Sequence, residues 1–119
     1  MKLPGPDHPI SIEPNPRRVR VTLGGRVIAD TRRALTLREA NYAPVQYIPR
    51  EDAGMALLRR TERSTHCPYK GDASYYTIAL PGREAVNAAW SYEQPFPAMA
   101  AITGYLAFYP DRVDGIEEG

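Results

Sequence analysis

Apolar and polar residues alternate along much of this chain, and a period of two is typical of β-strands with one buried face. The clearest run is Val19–Leu23, which is followed by Gly24-Gly25 and then by a second alternating run over residues 26–30. Two alternating runs on either side of Gly-Gly predict a β-hairpin with a tight primed turn.

Further segments have strand composition, and they are separated by Pro and Gly punctuation. Residues 34–38 suit a strand or a short helical turn. Residues 55–63 suit a helix or a strand, and the strand is favoured because residues 65–67, which follow, also suit a strand. Strands are also predicted at residues 45–48, 73–80, 85–92 and 105–109, with one or two helical turns over 98–102.

The ends of the chain differ from its middle in composition. Residues 1–16 are rich in proline and predict an irregular lead-in, and residues 114–119 predict an acidic tail. Residues 17–113 then form one domain of about seven short strands with little helix, which indicates a mainly β sandwich, barrel or open sheet.

Composition narrows the function classes. A chain of 119 residues with a net charge of +1 predicts a single domain without the strong basic field of a nucleic-acid binder, so nucleic acid is not an expected partner. No apolar stretch approaches membrane-spanning length and the N-terminus lacks a secretory signal, so no membrane role is expected. The single cysteine excludes an internal disulfide and a cysteine-rich zinc site, and it fits a cytoplasmic location.

Three clusters of polar and aromatic residues lie at predicted strand ends, where rigid scaffolds often carry functional loops. They cover residues 47–52, 64–71 and 90–95. Only two of the fifteen basic residues are lysines, and one of them, Lys70, lies in the middle cluster. An ammonium at this position predicts a site for a phosphate or carboxylate, and the alternative is a surface ion pair with Asp52 or Asp72.

Other residues of these clusters also have two interpretations. Cys67 is a candidate nucleophile activated by Lys70 or His66, or else a small buried side chain before a proline turn. Asp52 is a candidate general base, or else a turn or cap residue. The aromatic candidates for a ligand-binding wall also serve as ordinary core residues; they are Tyr47, Tyr69, Tyr76, Trp90 and Tyr92.

Four motifs resemble those of domain-of-unknown-function family 427, and the resemblance covers residues 12 to 113. They are Tyr-x-Pro-x-x-Asp at 47–52, Thr-x-Cys-Pro-Tyr-Lys-Gly at 65–71, Ala-x-Tyr-Tyr at 73–76 and Ala-Trp-x-Tyr-x-x-Pro at 89–95. The resemblance implies a mainly β fold similar to the Mss4-like (β-tent) topology. The family carries a nucleotidyltransferase label without an established activity, so the resemblance implies a fold and a site rather than a reaction. Thr65 and Gly71, at the two ends of the 65–71 segment, are also candidate site residues.

The sequence therefore predicts a pocket for a small anionic or polar ligand around the Cys67–Gly71 loop, with the choice between enzyme and binding protein left open. The catalytic candidates are Lys70, Cys67 and Asp52, and the binding candidates are Tyr47, Thr65, Tyr69, Lys70, Gly71, Trp90 and Tyr92. The alternative is a protein- or peptide-binding module that uses an exposed sheet edge, and such an edge also makes a homodimer plausible. No residue spacing identifies a metal site or a cofactor.

Overall fold

In the computed structural model, which describes residues 1–119, the chain folds into ten strands that form three antiparallel sheets. The mainly β prediction is confirmed. The strands are β1 (Ile10–Asn15), β2 (Val19–Leu23), β3 (Arg26–Thr31), β4 (Ala34–Glu39), β5 (Val45–Tyr47), β6 (Leu58–Cys67), β7 (Gly71–Leu80), β8 (Arg83–Ser91), β9 (Ala107–Phe108) and β10 (Gly115–Glu118).

Each sheet is built from neighbours that pair in antiparallel register. The strand orders are β1-β4-β5, β10-β2-β3 and β6-β7-β8-β9. The predicted hairpin is present as β2-β3, and Gly24 and Gly25 at its turn both have positive φ, at 59° and 76°. A primed turn with two positive φ values needs such residues, which explains the Gly-Gly pair.

The two ends of the chain are more regular than the sequence predicts. Strand β1 lies inside the segment predicted to be irregular, and β10 lies inside the acidic tail, so the count of about seven strands was too low. Strand β1 pairs only with β4 and is therefore an edge strand. Pro14 is tolerated there because an edge strand has one side on which no N–H donor is needed.

The ambiguous segment at residues 55–63 contains both kinds of structure. A single 3₁₀ turn covers Met55–Leu57, and the long strand β6 begins at Leu58, so the strand preference is confirmed for most of the segment. Residues Pro97–Ile102 form the expected helical turns as a 3₁₀ helix. At six residues this is the longest helical segment, and no helix of the protein is long and apolar enough to cross a membrane.

Strand β7 divides the hydrophobic core into two clusters because its successive side chains point to opposite faces. Tyr76, Ile78 and Leu80 pack into a larger cluster with residues of β2, β3 and β8. Ala73 and Tyr75 pack instead into a second cluster with residues of β4, β5 and the segment after β8. The second cluster is rich in tyrosine, and it lies directly against the turn between β6 and β7.

Candidate functional site

The turn between β6 and β7 is held in place from two sides. Cys67 pairs with Gly71 across its base. The carbonyl of Lys70 accepts a hydrogen bond from the N–H of Phe96 at 3.0 Å, and the carbonyl of Pro68 accepts one from the N–H of Lys2 at 2.7 Å. With its backbone fixed in this way, the turn directs Lys70 inward, where the residue is only 7% exposed.

Lys70 faces a cavity of about 220 Å³ between the sheets. Nine of the eleven residues that line it are hydrophobic or aromatic, and the two charged ones are Glu39 and Lys70. The remaining lining residues are Leu37, Tyr42, Ala43, Val45, Tyr47, Tyr75, Trp90, Tyr92 and Tyr109. A mainly aromatic cavity with few polar groups is the usual character of a small-molecule site.

Three side chains at the edge of the cavity are joined by hydrogen bonds: Lys70, Glu39 and His8. The Lys70 ammonium donates to Oε1 of Glu39, and His8 Nε2 donates to Oε2 of the same carboxylate at 2.7 Å. Burial raises the pKa of Glu39, but the hydrogen bonds from Lys70 and His8 outweigh this effect, so the pKa lies below its ordinary value. Glu39 is thus held as a carboxylate that balances the charge of Lys70.

Two donors in the cavity retain unused hydrogen-bonding capacity. An ammonium has three N–H groups, and Lys70 uses one on Glu39 and a weak one on Cys67 Sγ at 3.7 Å, which leaves one free. The hydroxyl of Tyr92 makes no hydrogen bond within the protein, and its oxygen keeps some contact with solvent although the residue is only 7% exposed. Burial also raises the pKa of Tyr92, so its hydroxyl keeps its proton. The two residues line the same cavity, and Lys70 Nζ lies 6.0 Å from the centre of the Tyr92 ring.

Other aromatic residues that line the cavity form an aromatic wall, in which they contact one another. The indole Nε1 of Trp90 donates to the Tyr47 hydroxyl at 3.3 Å, and the Trp90 and Tyr109 rings lie 4.5 Å apart. Burial raises the pKa of Tyr47 well above its ordinary value, so this hydroxyl also stays protonated. The wall therefore presents fixed ring faces rather than ionised groups.

A short chain of hydroxyl groups runs along one side of the cavity. Tyr75 shares hydrogen bonds with Thr65 at 2.9 Å and with Tyr109 at 3.3 Å. Burial raises the pKa of Tyr75, but its bonds with Thr65 and Tyr109 and the Arg63 guanidinium, which lies 5.0 Å from the ring centre, together bring it below the ordinary value. Burial and the Tyr75 hydroxyl raise the pKa of Tyr109 to about 12.

Four of the predicted binding residues line this one cavity, namely Tyr47, Lys70, Trp90 and Tyr92. Cys67 and Thr65 are one contact away, through Lys70 and Tyr75 respectively. Gly71 ends the turn. Tyr69 does not line the cavity and instead stacks on the ring of His8, with 4.0 Å between ring centres.

The structure does not bring Asp52 to this cavity. Asp52 lies in a 3₁₀ turn, where its carboxylate accepts from Thr31 at 2.7 Å and from Arg33 at 3.2 Å. The expected ion pair of Lys70 with Asp52 or Asp72 is also wrong, because Glu39 occupies that position and Asp72 pairs with His66 at 2.7 Å. The strands place Asp52 beside β3 rather than beside the β6-β7 turn.

The sequence interpretation missed four residues of the site: His8, Glu39, Tyr75 and Tyr109. For Glu39 a signal existed, because alternation in β4 puts residue 39 on the same face as the buried Leu37. A charged residue on an inward face needs a partner, and the buried Lys70 supplies it. Tyr75 and Tyr109 required knowledge of strand pairing, which places Tyr75 directly opposite Trp90.

A second, larger cleft lies on the outer face of β6 and β7. It measures about 560 Å³, has no hydrophobic lining residue, and is lined by Arg60, Ser64, Asp72, Ser74, Glu93 and Gln94. Its charges are paired within the protein, as in the contact between Arg60 and Glu93 at 3.3 Å. No three His, Cys, Asp or Glu side chains of the molecule come together in a way that could hold a metal ion. The aromatic cavity is therefore the better candidate site.

The fold and this cavity define a small, mainly β domain with one aromatic site that is closed at its edge by a buried ion pair. Residues 11–119 match the family model described as domain of unknown function, DUF427, and the chain belongs to that family. A search of curated proteins finds no match.

The backbone at Gly71 provides a test of the turn that carries Lys70. Gly71 has a φ of +111°, outside the compact left-handed region, whereas Gly82 in the β7-β8 turn has a φ of +75°. Gly71→Ala is expected to lower the free energy of unfolding by about 2–3 kcal/mol because of backbone strain, and Gly82→Ala by about 1 kcal/mol. Atoms near a Cβ at residue 71 lie at 3.5 Å or more, so a clash would not account for the difference.

Urea unfolding of both variants measures this difference. Equal losses for the two variants would mean that the conformation at Gly71 imposes no special requirement on the turn.

Proposed function

We propose that this protein binds a small, flat organic molecule that carries a hydrogen-bond acceptor, with an aromatic carboxylate as the simplest example. The observation that carries the proposal is that Lys70 and Tyr92, two donors with unused capacity, line the same aromatic cavity. A carboxylate or carbonyl oxygen placed between them would accept from both. The aromatic wall would then hold the body of the ligand.

The charges around the cavity favour an acceptor over a cation. Glu39 has both of its oxygens occupied, by Lys70 and by His8, so it offers little to an incoming ammonium group. Lys70 offers only donors, because its ammonium has no lone pair, and the Tyr92 hydroxyl keeps its proton and can donate to an acceptor. Since Glu39 balances the charge of Lys70, the local field is small, and a neutral acceptor such as an amide would also be accommodated.

The size of the cavity limits the body of the ligand. Its volume of about 220 Å³ is below the range of roughly 300–1,000 Å³ found for drug-sized ligands. A single ring with one substituent suits such a volume, whereas a nucleotide would extend beyond it. The ring faces of Trp90 and Tyr109 provide a stacking surface for that ring.

Binding is the part of the hypothesis that this geometry supports. Lys70 and Cys67 stay predictions as catalytic residues, and their contact at 3.7 Å keeps a thiol and an ammonium beside the proposed ligand. Asp52 also stays a prediction, although its position beside Arg33 gives it no part in this cavity.

The alternative function, a peptide-binding module, would use the free edge of β6, the longest exposed strand edge. That edge carries Arg59, Arg60 and Arg63, and its pairing with β7 is interrupted between Arg60 and Ser64. Charged side chains and bulges are features that native proteins use to prevent pairing at strand edges. They favour the ligand-binding proposal over strand addition and over a homodimer through this edge.

The single tryptophan of the chain, Trp90, gives a direct test because it lines the cavity. Benzoate, benzamide and benzylamine share one ring and differ in the polar group. Titration of each should produce a saturable change in Trp90 fluorescence for benzoate and benzamide, with binding of benzylamine at least tenfold weaker. The reason is that only the first two present an acceptor to the Lys70 ammonium, which has no lone pair to accept from benzylamine.

Free N-acetyltryptophanamide titrated with the same compounds controls for collisional quenching, and calorimetry confirms each dissociation constant. Absence of saturable binding by both acceptor compounds, or a preference for benzylamine, would contradict the proposed function.

A further inference from the structure

The segment before the first strand is built onto the candidate site, although the family match begins only at residue 11. The N–H of Lys2 donates to the carbonyl of Pro68 at 2.7 Å, and the carbonyl of Pro9 accepts from the N–H of Ala40 at 2.8 Å. These two hydrogen bonds join the segment to the turn that carries Lys70 and to the residue after Glu39. The segment thus spans the two elements that supply the ion pair.

Within this segment, the ring of His8 contacts both Glu39 and the residue that precedes Lys70. Its Nε2 lies 2.7 Å from Oε2 of Glu39, the counter-ion of Lys70. The same ring stacks on Tyr69, the residue before Lys70, with 4.0 Å between centres and an angle of 7° between planes. An antiparallel bridge between Gly5 and His8 fixes the backbone of the segment at this point.

We infer that His8 is a positioning residue of the ligand site, which occupies one oxygen of Glu39 so that Lys70 keeps an N–H free for the ligand. The inference rests on the proposed function. With His8 bound to Oε2, Lys70 contacts Glu39 through Oε1 alone. Without His8, the buried Oε2 loses its donor, and the carboxylate can satisfy both oxygens on the ammonium of Lys70. The donor that would have met the ligand is then used inside the protein.

Two replacements separate the hydrogen bond of His8 from its stacking. His8→Phe keeps a ring to stack on Tyr69 but removes the donor to Glu39. His8→Gln keeps a side-chain donor but removes the ring. Benzoate binding is measured for the wild type and both variants by Trp90 fluorescence and by calorimetry, with circular dichroism and thermal unfolding to verify the fold.

The expected result is a dissociation constant about tenfold higher for His8→Phe, because a hydrogen bond to a charged group is involved, and a value within about threefold of the wild type for His8→Gln. Rescue by glutamine is a readout that loss of packing would not produce. Equal affinities in all three proteins, or equal weakening in both variants, would overturn the role of His8 and leave the proposed function standing. If the wild type itself binds neither benzoate nor benzamide, the proposed function fails and the inference fails with it.

Discussion

Lys70→Met is expected to lower the free energy of unfolding by about 3–5 kcal/mol, the cost of removing one partner of a buried ion pair. The side chains of Lys70 and Glu39 are only 9% and 14% exposed, so solvent screens the remaining carboxylate poorly. Methionine has a similar length and fills the space of the lysine stem, which confines the loss to the charge and its hydrogen bonds. Urea unfolding at neutral pH measures the effect.

Two further variants show whether burial of the Lys70–Glu39 pair causes the loss of stability in Lys70→Met. Adding Glu39→Gln to Lys70→Met removes the uncompensated charge, so the double variant should be more stable than Lys70→Met alone. Arg83→Met is the matched exposed case, because Arg83 and Asp114 pair at 2.9 Å with side chains 51% and 47% exposed. It should cost less than about 1 kcal/mol. Similar costs for Lys70→Met and Arg83→Met would show that the Glu39 pair gains nothing from its burial.

The same ion pair determines how the stability of the fold changes as the pH is lowered. The pKa of Glu39 is lower in the folded protein than in the unfolded chain. Its ionised form therefore stabilises the folded state at pH values above the unfolded-state pKa, and this stabilisation is lost as the pH falls through the folded-state pKa. The difference in stability between the wild type and Lys70→Met should therefore shrink as the solution becomes acidic.

The fold could be predicted from sequence where the signal is local. The β2-β3 hairpin needs only alternation and two glycines, and β7 needs only its run of strand-forming residues. Strands β1 and β10 lack such signals because what orders them is distant. Strand β10 pairs with β2, which lies more than ninety residues earlier, as in the register of Gly115 with Thr22. The Mss4-like (β-tent) topology implied by the family resemblance stays a prediction.

The candidate site was predictable to the extent that its residues are adjacent in sequence. The motif around Lys70 could be found in the chain, and so could the aromatic residues Trp90 and Tyr92. The counter-ion could not be chosen from the sequence, because Glu39 meets Lys70 only after β4 and the β6-β7 turn pack together. Asp52 was the plausible partner by motif, but strand pairing places it beside Arg33.

Two tyrosines of the cavity should respond in opposite ways to loss of the hydroxyl group. Tyr92→Phe is expected to weaken benzoate binding at least tenfold, or about 1.4 kcal/mol of binding free energy, because it removes a donor that has no partner in the protein. For the same reason it should leave the free energy of unfolding within about 0.5 kcal/mol of the wild type. Trp90 fluorescence and urea unfolding provide the two measurements.

Tyr47→Phe is the matched control, since the Tyr47 hydroxyl lines the same cavity but already accepts from Trp90 Nε1 at 3.3 Å. Its removal leaves a partly buried indole N–H without an acceptor, which should lower the free energy of unfolding by about 1–2 kcal/mol. Benzoate affinity should change less than threefold, because the proposed ligand contact is on the side of Lys70, whose Nζ lies near the Tyr92 ring. The opposite pattern, with stability lost in Tyr92→Phe and affinity lost in Tyr47→Phe, would place the ligand contact on the Tyr47 side of the cavity. The role given to Lys70 and Tyr92 depends on this contrast, because both tyrosines line the same cavity and only the Tyr47 hydroxyl has a partner in the protein.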